Sequence, residues 1–146
     1  AKDVIEVIRK NSPNSVIIVG TPDWCKSITE VVGNPLPYKN IMYAFHFYSG
    51  THGEVYRKTL EYAIEKGVPV FVSEWGTSTA ENGTNVFEEE SDKWIKLLNN
   101  KGISWVNWSF SNKDEATSIL KKETKELKDE DLTQSGLYVQ KKIQEK

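Results

Sequence analysis

The chain has 146 residues, of which 38% are hydrophobic and 27% charged, with only 9 glycines and 5 prolines. This composition provides enough apolar mass for a core and excludes disordered and collagenous chains. Lysine and arginine number 19 against 21 acidic residues, a net charge of -2, so there is no global positive field for a nucleic acid or an anionic membrane, and neither is expected as a partner. The single cysteine, Cys25, rules out an internal disulfide, and the two histidines add no zinc-ligand spacing; no metal or cofactor is expected.

In chain order, Ala1 to Lys10 is charged and amphipathic, with Val4, Ile5 and Ile8 as a helical stripe and no run suited to a signal peptide or a membrane span. No N-cap precedes the stripe, so a further segment upstream is expected. Val16–Val19 reads as the first strand. The connection Asp23 to Lys39 holds Pro35, Pro37 and Gly33 just after Pro22, and predicts a loop with at most a short helix. Ile41–Phe47 is the second strand. Glu54 to Lys66 places Tyr56, Leu60, Ala63 and Ile64 on one helical face, with Gly67 as its stop. Val68–Val72 is the third strand, followed by a helix carrying Phe87, Trp94, Ile95 and Leu98 and stopped at Gly102. Ile103–Trp108 is the fourth strand. Asn112 to Asp131 alternates lysine with acidic residues and reads as a solvated loop or helix face. Thr133 or Ser135 then caps a closing helix through Ile143. Strands alternating with helices predict a parallel sheet of right-handed βαβ units in an α/β fold.

Residues two apart in a strand share a face. One face of the second strand carries Met42, Ala44, His46 and Tyr48; Val70, Val72 and Glu74 are expected to share a face of the third, and Ser104, Val106 and Trp108 one of the fourth. Polar groups cluster at the C-terminal ends, where parallel sheets place their ligands. Alone, Glu74 is equally an acid that ends a strand and meets solvent. With His46 and Tyr48 at the same end of the preceding strand, it forms a hydrogen-bonding group that can orient a carboxylate nucleophile. Trp24 and Trp108, at strand ends, suit the flat C–H faces of sugars, whereas Trp75, Trp94 and Trp105 read as packing. Lys113 and Glu115 lie just past the last strand, as sugar-hydroxyl contacts or plain solvated charges.

The runs 40–53 (NIMYAFHFYSGTHG), 70–78 (VFVSEWGTS) and 104–109 (SWVNWS) resemble glycoside hydrolase family 5, specifically its bacterial endo-β-1,4-glucanases (cellulases), and the likeness runs in order over nearly the whole chain. The resemblance implies a retaining (β/α)8 TIM barrel of which residues 1–146 are the C-terminal half of the catalytic domain, strands five to eight, with strands one to four absent. It implies that Glu74 is the nucleophile, that Tyr48 hydrogen-bonds it, and that His46 belongs to the same catalytic group. By the same likeness Trp108 is an aromatic platform, Trp24 lies on the leaving-group side, and Lys113 and Glu115 are polar contacts on the non-reducing side. A β-glucan substrate and a secreted location are implied as well.

The family's acid/base, a glutamate in an Asn-Glu pair, has no counterpart in this sequence. A retaining mechanism needs two carboxyl groups about 5 Å apart; Asp23 and Glu115 are the nearest substitutes. The chain alone is therefore expected to have negligible glucanase activity, and to associate with an N-terminal half-barrel or with its own copy through open sheet edges. A β-mannanase or another β-glycan hydrolase is an alternative reading, as is a non-catalytic carbohydrate-binding module built on Trp24 and Trp108.

Overall fold

The computed structural model describes residues 1–81, 83–125 and 128–145. Helix α1 (Lys2–Asn11) leads into β1 (Ile17–Val19), the single turn α2 (Pro22–Cys25) and a 3-10 turn (Ile28–Val31). Then come β2 (Ile41–Tyr48), α3 (Glu54–Glu65), β3 (Val70–Gly76), α4 (Glu88–Asn100) and β4 (Trp105–Asn107), before a second 3-10 turn (Asp129–Asp131) and α5 (Gln134–Gln144). The strands form one sheet in the order β1-β2-β3-β4, with every neighbouring pair parallel. Each expected strand and helix is present. The region 112–131 is turns and one 3-10 turn, as its alternating charge predicts, apart from positions 126 and 127, which lie outside the described residues. Among the described residues no helix is long and apolar enough to cross a membrane.

The helix ends follow from local chemistry. Gly67 and Gly102 stand at φ +80° and +65° with nothing within 4 Å of a hypothetical Cβ, so glycine is needed there for its backbone and not for space. Thr133 is the cap of α5: its Oγ1 accepts from the Gly136 N–H at 3.0 Å. Ser135, the other candidate, is fully buried and shares a 2.8 Å hydrogen bond with Thr77.

The core lies between the sheet and its helices. Tyr43, Phe45, Phe47, Val70, Val72 and Trp75 are buried on the helix-facing side against Leu60, Ala63, Trp94 and Leu98. Phe47 is stacked with two indoles, its ring centroid 3.9 Å from that of Trp94 and 5.6 Å from that of Trp75. Arg57 of α3 ion-pairs with Glu90 of α4 and lies 5.6 Å from the Trp94 ring, which ties the two helices together over the aromatic stack. The packing roles read for Trp75 and Trp94 agree with their complete burial, and Trp105 meets Trp75 edge-on at 5.7 Å.

One expectation about β3 is corrected. Between Ala44 and His46 β2 advances two residues while β3 advances three, from Phe71 to Glu74. On the other side, β4 advances two residues, Trp105 to Asn107, while β3 again advances three, Val72 to Trp75. Both neighbours see the same surplus, so the extra residue belongs to β3 and forms a bulge. Glu74 therefore does not share a face with Val70 and Val72: those two are buried under the helices, and Glu74 pairs in register with His46 on the opposite face. Strict alternation has no means of anticipating an inserted residue.

At the end of β1, Asp23 (φ 54°, ψ 57°), Trp24 (φ 49°, ψ 44°) and Cys25 (φ 65°) are all left-handed, a conformation that costs a non-glycine residue about 1 kcal/mol or more. Lys26 spans the turn, 3.4 Å from the Asp23 carboxylate and 5.5 Å from the Trp24 ring. The turn leaves Trp24 85% exposed.

Because Phe47 is fully buried and stacked with two indoles, Phe47→Ala is expected to cost about 3 to 5 kcal/mol of stability, read as a lower urea midpoint. A loss under about 1 kcal/mol means that the stack does not hold the helices on the sheet.

Candidate functional site

The cleft at the C-terminal ends of the strands is built by the register described above. His46 and Glu74 are cross-strand partners on one face, and Tyr48, two residues beyond His46, reaches over the same carboxylate. The Tyr48 hydroxyl donates to Glu74 Oε1 at 2.7 Å. His46 Nδ1 stands 3.8 Å from Glu74 Oε2, and its Nε2 is 2.8 Å from the Ser73 hydroxyl. The Glu74 side chain is about a quarter exposed, at 26%, so it is open to a ligand yet largely fixed by its neighbours.

Burial, helped by the bond to Glu74, pushes the Tyr48 phenol far above its ordinary value, so it stays a hydrogen-bond donor across the physiological range. Burial also lowers the His46 pKa, although the Glu74 charge opposes that shift, and His46 is therefore neutral at neutral pH.

His52, which the sequence reading passed over, stands behind this group. It is 5% exposed, and its Nδ1 accepts the Tyr48 backbone N–H at 2.8 Å while its carbonyl accepts from Trp94 Nε1 at 2.8 Å. It thus connects the end of β2 to the aromatic core. Burial, and secondarily the Lys26 charge, lowers its pKa. The signal available in the sequence was the spacing His46, Tyr48, His52 around Gly50 and Gly53, a turn that brings its last member back against the strand.

Gly76 gives Tyr48 its position. A Cβ there would meet Tyr48 Cδ1 and Cε1 at 2.5 Å and Thr117 Cγ2 at 3.1 Å. The ring lies directly against the β3 backbone, which only glycine permits.

Glu74, His46 and Tyr48 open into a cavity of about 680 Å³ whose walls also include Trp24, Lys26, His52 and Glu81. Trp24 is thus brought to the same cleft as the carboxylate. Trp108 is not among those walls: it follows β4, is 42% exposed, and donates its backbone N–H to the Trp75 carbonyl at 2.7 Å. Lys113 and Glu115 line a separate depression with Gly83, Thr84 and Lys122, although the Glu115 charge is still felt at Tyr48. A further groove of about 390 Å³ beside α5, lined by Phe110, Ile119, Val139 and Ile143, holds no acid, base or histidine. Chemistry therefore points to the Glu74 cleft. Among the described residues no group of His, Cys, Asp or Glu is arranged to hold a metal ion. What the cleft provides is a carboxylate with a fixed donor on one oxygen, next to an exposed indole.

Comparison with known proteins gives the family of this fold. Residues 1–114 match the family model Cellulase (glycosyl hydrolase family 5). The chain is 43% identical over 148 residues to Endoglucanase A of Evansella cellulosilytica, covering 99% of this chain and 30% of that protein. It is 44% identical over 146 residues to an endoglucanase of Clostridium saccharobutylicum, covering 98% and 33%. Among solved structures, Cellulase Cel5C_n superposes with TM-score 0.93 at 41% identity, over 98% of this chain and 45% of that one. The catalytic domain of Thermobifida fusca endoglucanase Cel5A in complex with cellotetraose superposes with TM-score 0.92 at 34% identity, over 99% and 50%. The chain thus spans about a third of the length of these curated relatives and about half of these solved chains. Its four parallel strands and their helices form part of a (β/α)8 barrel.

Two outcomes are expected. Gly76→Ala displaces the Tyr48 ring and breaks its bond to Glu74, so the Tyr48 phenol, followed by NMR of its ring carbon, titrates closer to its ordinary value of 10.0; an unchanged titration refutes the close-approach role. Both histidines titrate below 6.5 in the folded chain. Just under that value the unfolded chain therefore binds more protons than the folded one, and stability rises with pH up to about 6.5. Urea midpoints between about pH 5 and pH 8 should show this slope, and His46→Gln or His52→Gln should each flatten it.

Proposed function

The chain belongs to glycosyl hydrolase family 5, and from that premise we propose that its cleft is the nucleophile side of a retaining endo-β-1,4-glucanase site. Glu74 attacks the anomeric carbon as the bond to the leaving oxygen breaks, giving a glycosyl ester that water then hydrolyses. Tyr48 holds Glu74 Oε1, His46 stands at Oε2, and Trp24 supplies a flat apolar surface for a sugar ring on the leaving-group side. Trp108 extends the contact with the glycan as an aromatic platform beyond the cleft, and Lys113 and Glu115 add polar contacts on the non-reducing side. The observation that carries this reading is the carboxylate fixed at 2.7 Å by a tyrosine at the C-terminal strand ends of a family 5 fold.

The acid that protonates the leaving oxygen is proposed to come from the complementary half of the barrel. Asp23 is engaged with Lys26, and Glu115 lies on another depression, which leaves neither well placed to serve. Residues 1–146 then act as strands five to eight, and the exposed Ile18 and Val106 on the edge strands β1 and β4 meet the companion half. A polymeric glucan cannot cross a membrane, so the complete enzyme works outside the cell.

With the complementary half-barrel of a family 5 relative added, the chain is expected to hydrolyse soluble β-1,4-glucan faster than β-mannan and with retention of configuration, while alone it does neither. Glu74→Gln should reduce the reconstituted rate by at least about 10³-fold. Full activity of that variant would remove Glu74 as the nucleophile, and a preference for mannan would reassign the substrate.

A further inference from the structure

The His52 ring has one nitrogen engaged and one free. Its Nδ1 lies 2.8 Å from the Tyr48 backbone nitrogen, whose N–H can only donate. Nδ1 is therefore a bare acceptor, and an imidazole in that state is neutral and carries its proton on Nε2. Among the described residues nothing accepts that proton. His52 is 5% exposed, and native structures rarely leave a donor buried to that degree without a partner. The side-chain atoms that are both sealed and unpaired among the described residues are Trp75 Nε1 and Asn107 Oδ1. His52 Nε2 is not one of them, so its N–H is open to solvent, and the opening that His52 lines is the Glu74 cavity.

The ring is also on the Trp24 side of that cavity. After burial, the charges that act on it are those of Lys26 and then Asp23, from the turn that carries Trp24. A pyranose stacked on an indole turns a C–H face to the aromatic ring and leaves its hydroxyls projecting from the rim, where a fixed donor can reach an oxygen. We propose that His52 binds substrate: its Nε2–H donates to a hydroxyl of the leaving-group sugar whose apolar face rests on Trp24, an assignment that rests on the reading of the cleft as a glucan site. Tyr56 meets the ring edge-on at 4.7 Å, and the His52 carbonyl accepts from Trp94 at 2.8 Å, so the donor is oriented before a ligand arrives. One ring then serves two ends: Nδ1 fixes the backbone of the tyrosine that bonds Glu74, and Nε2 fixes the sugar.

The two ends separate by substitution, because the amide oxygen of asparagine stands in for Nδ1 and the amide nitrogen of glutamine for Nε2. The probe is cellotetraose, titrated into the chain and followed by NMR of the His52 ring and of the Trp24 indole N–H. In the unaltered chain the His52 Nε2 signal is expected to move with the Trp24 signal. His52→Asn keeps the acceptor for Tyr48 and removes the cavity donor, so it should weaken cellotetraose about 3- to 10-fold with little change in urea midpoint. His52→Gln keeps the donor and loses the acceptor, so it should bind within about twofold of the unaltered chain and unfold at lower urea. An asparagine variant that binds as the unaltered chain does would make the role of His52 purely structural and overturn the proposal. His52 ring signals that stay fixed up to the solubility limit of cellotetraose overturn it as well, and that titration still decides if the asparagine variant does not fold. Binding is read without turnover, so failure of the Glu74→Gln test would leave the His52 result standing. Cellotetraose that moves His46 and Trp24 but not His52 would remove the His52 contact and leave the glucan reading in place.

Discussion

A single inserted residue in β3 governs how this molecule divides into core and cleft. Without it, Glu74 would continue the series of Val70 and Val72 and project a carboxylate among Leu60, Trp94 and Leu98. An ion at such a site has no water and no partner, and burying it would cost several kcal/mol. With it, the carboxylate faces the cleft, Ser73 comes with it, and the next residue, Trp75, returns to the buried side. The same displacement that frees the acid supplies the indole on which Phe47 stacks. The cleft carboxylate and the centre of the core are thus set by one irregularity, and neither can be shifted along β3 without the other.

The layers around the carboxylate are arranged by distance from it. Tyr48 touches it, Gly76 gives the Tyr48 ring room, and His52 holds the Tyr48 backbone and passes on to Trp94. Each link is short and made by a group with few rotatable bonds, so the oxygen that accepts from Tyr48 is referenced to the aromatic core and not to a surface loop. The cleft rim is different in kind: Trp24 is presented by a left-handed turn with no buried residue of its own, braced by Lys26.

Much of this was legible in the sequence. β-branched and aromatic runs marked four strands, the 3.6-residue stripes marked the helices between them, and Gly67 and Gly102 marked their ends because a left-handed residue is required there. The cluster of His46, Tyr48 and Glu74 followed from the rule that parallel sheets carry ligands at strand ends, and it brings the three side chains together as a group. Three things were out of reach. The face of Glu74 was misread because a bulge has no signature in period-two alternation. Ser73 and His52 were passed over because their roles depend on contacts across strands and around a turn. The separation of Lys113 and Glu115 from the cleft goes with non-local backbone bonds, from the Ser109 N–H to the Thr117 carbonyl and from the Thr133 N–H to the Ile119 carbonyl, and no local pattern encodes them.

The left-handed turn at Asp23, Trp24 and Cys25 is a place where stability and binding make opposite demands on the chain. Glycine at Asp23 or Cys25 would relax the backbone, but at Asp23 it would remove the carboxylate that ties Lys26 across the turn and would loosen the ammonium that lies beside the indole. Selection for a sturdier fold and selection for the proposed sugar platform therefore diverge at this turn, and a search for thermostable variants would tend to sacrifice the cleft wall there first.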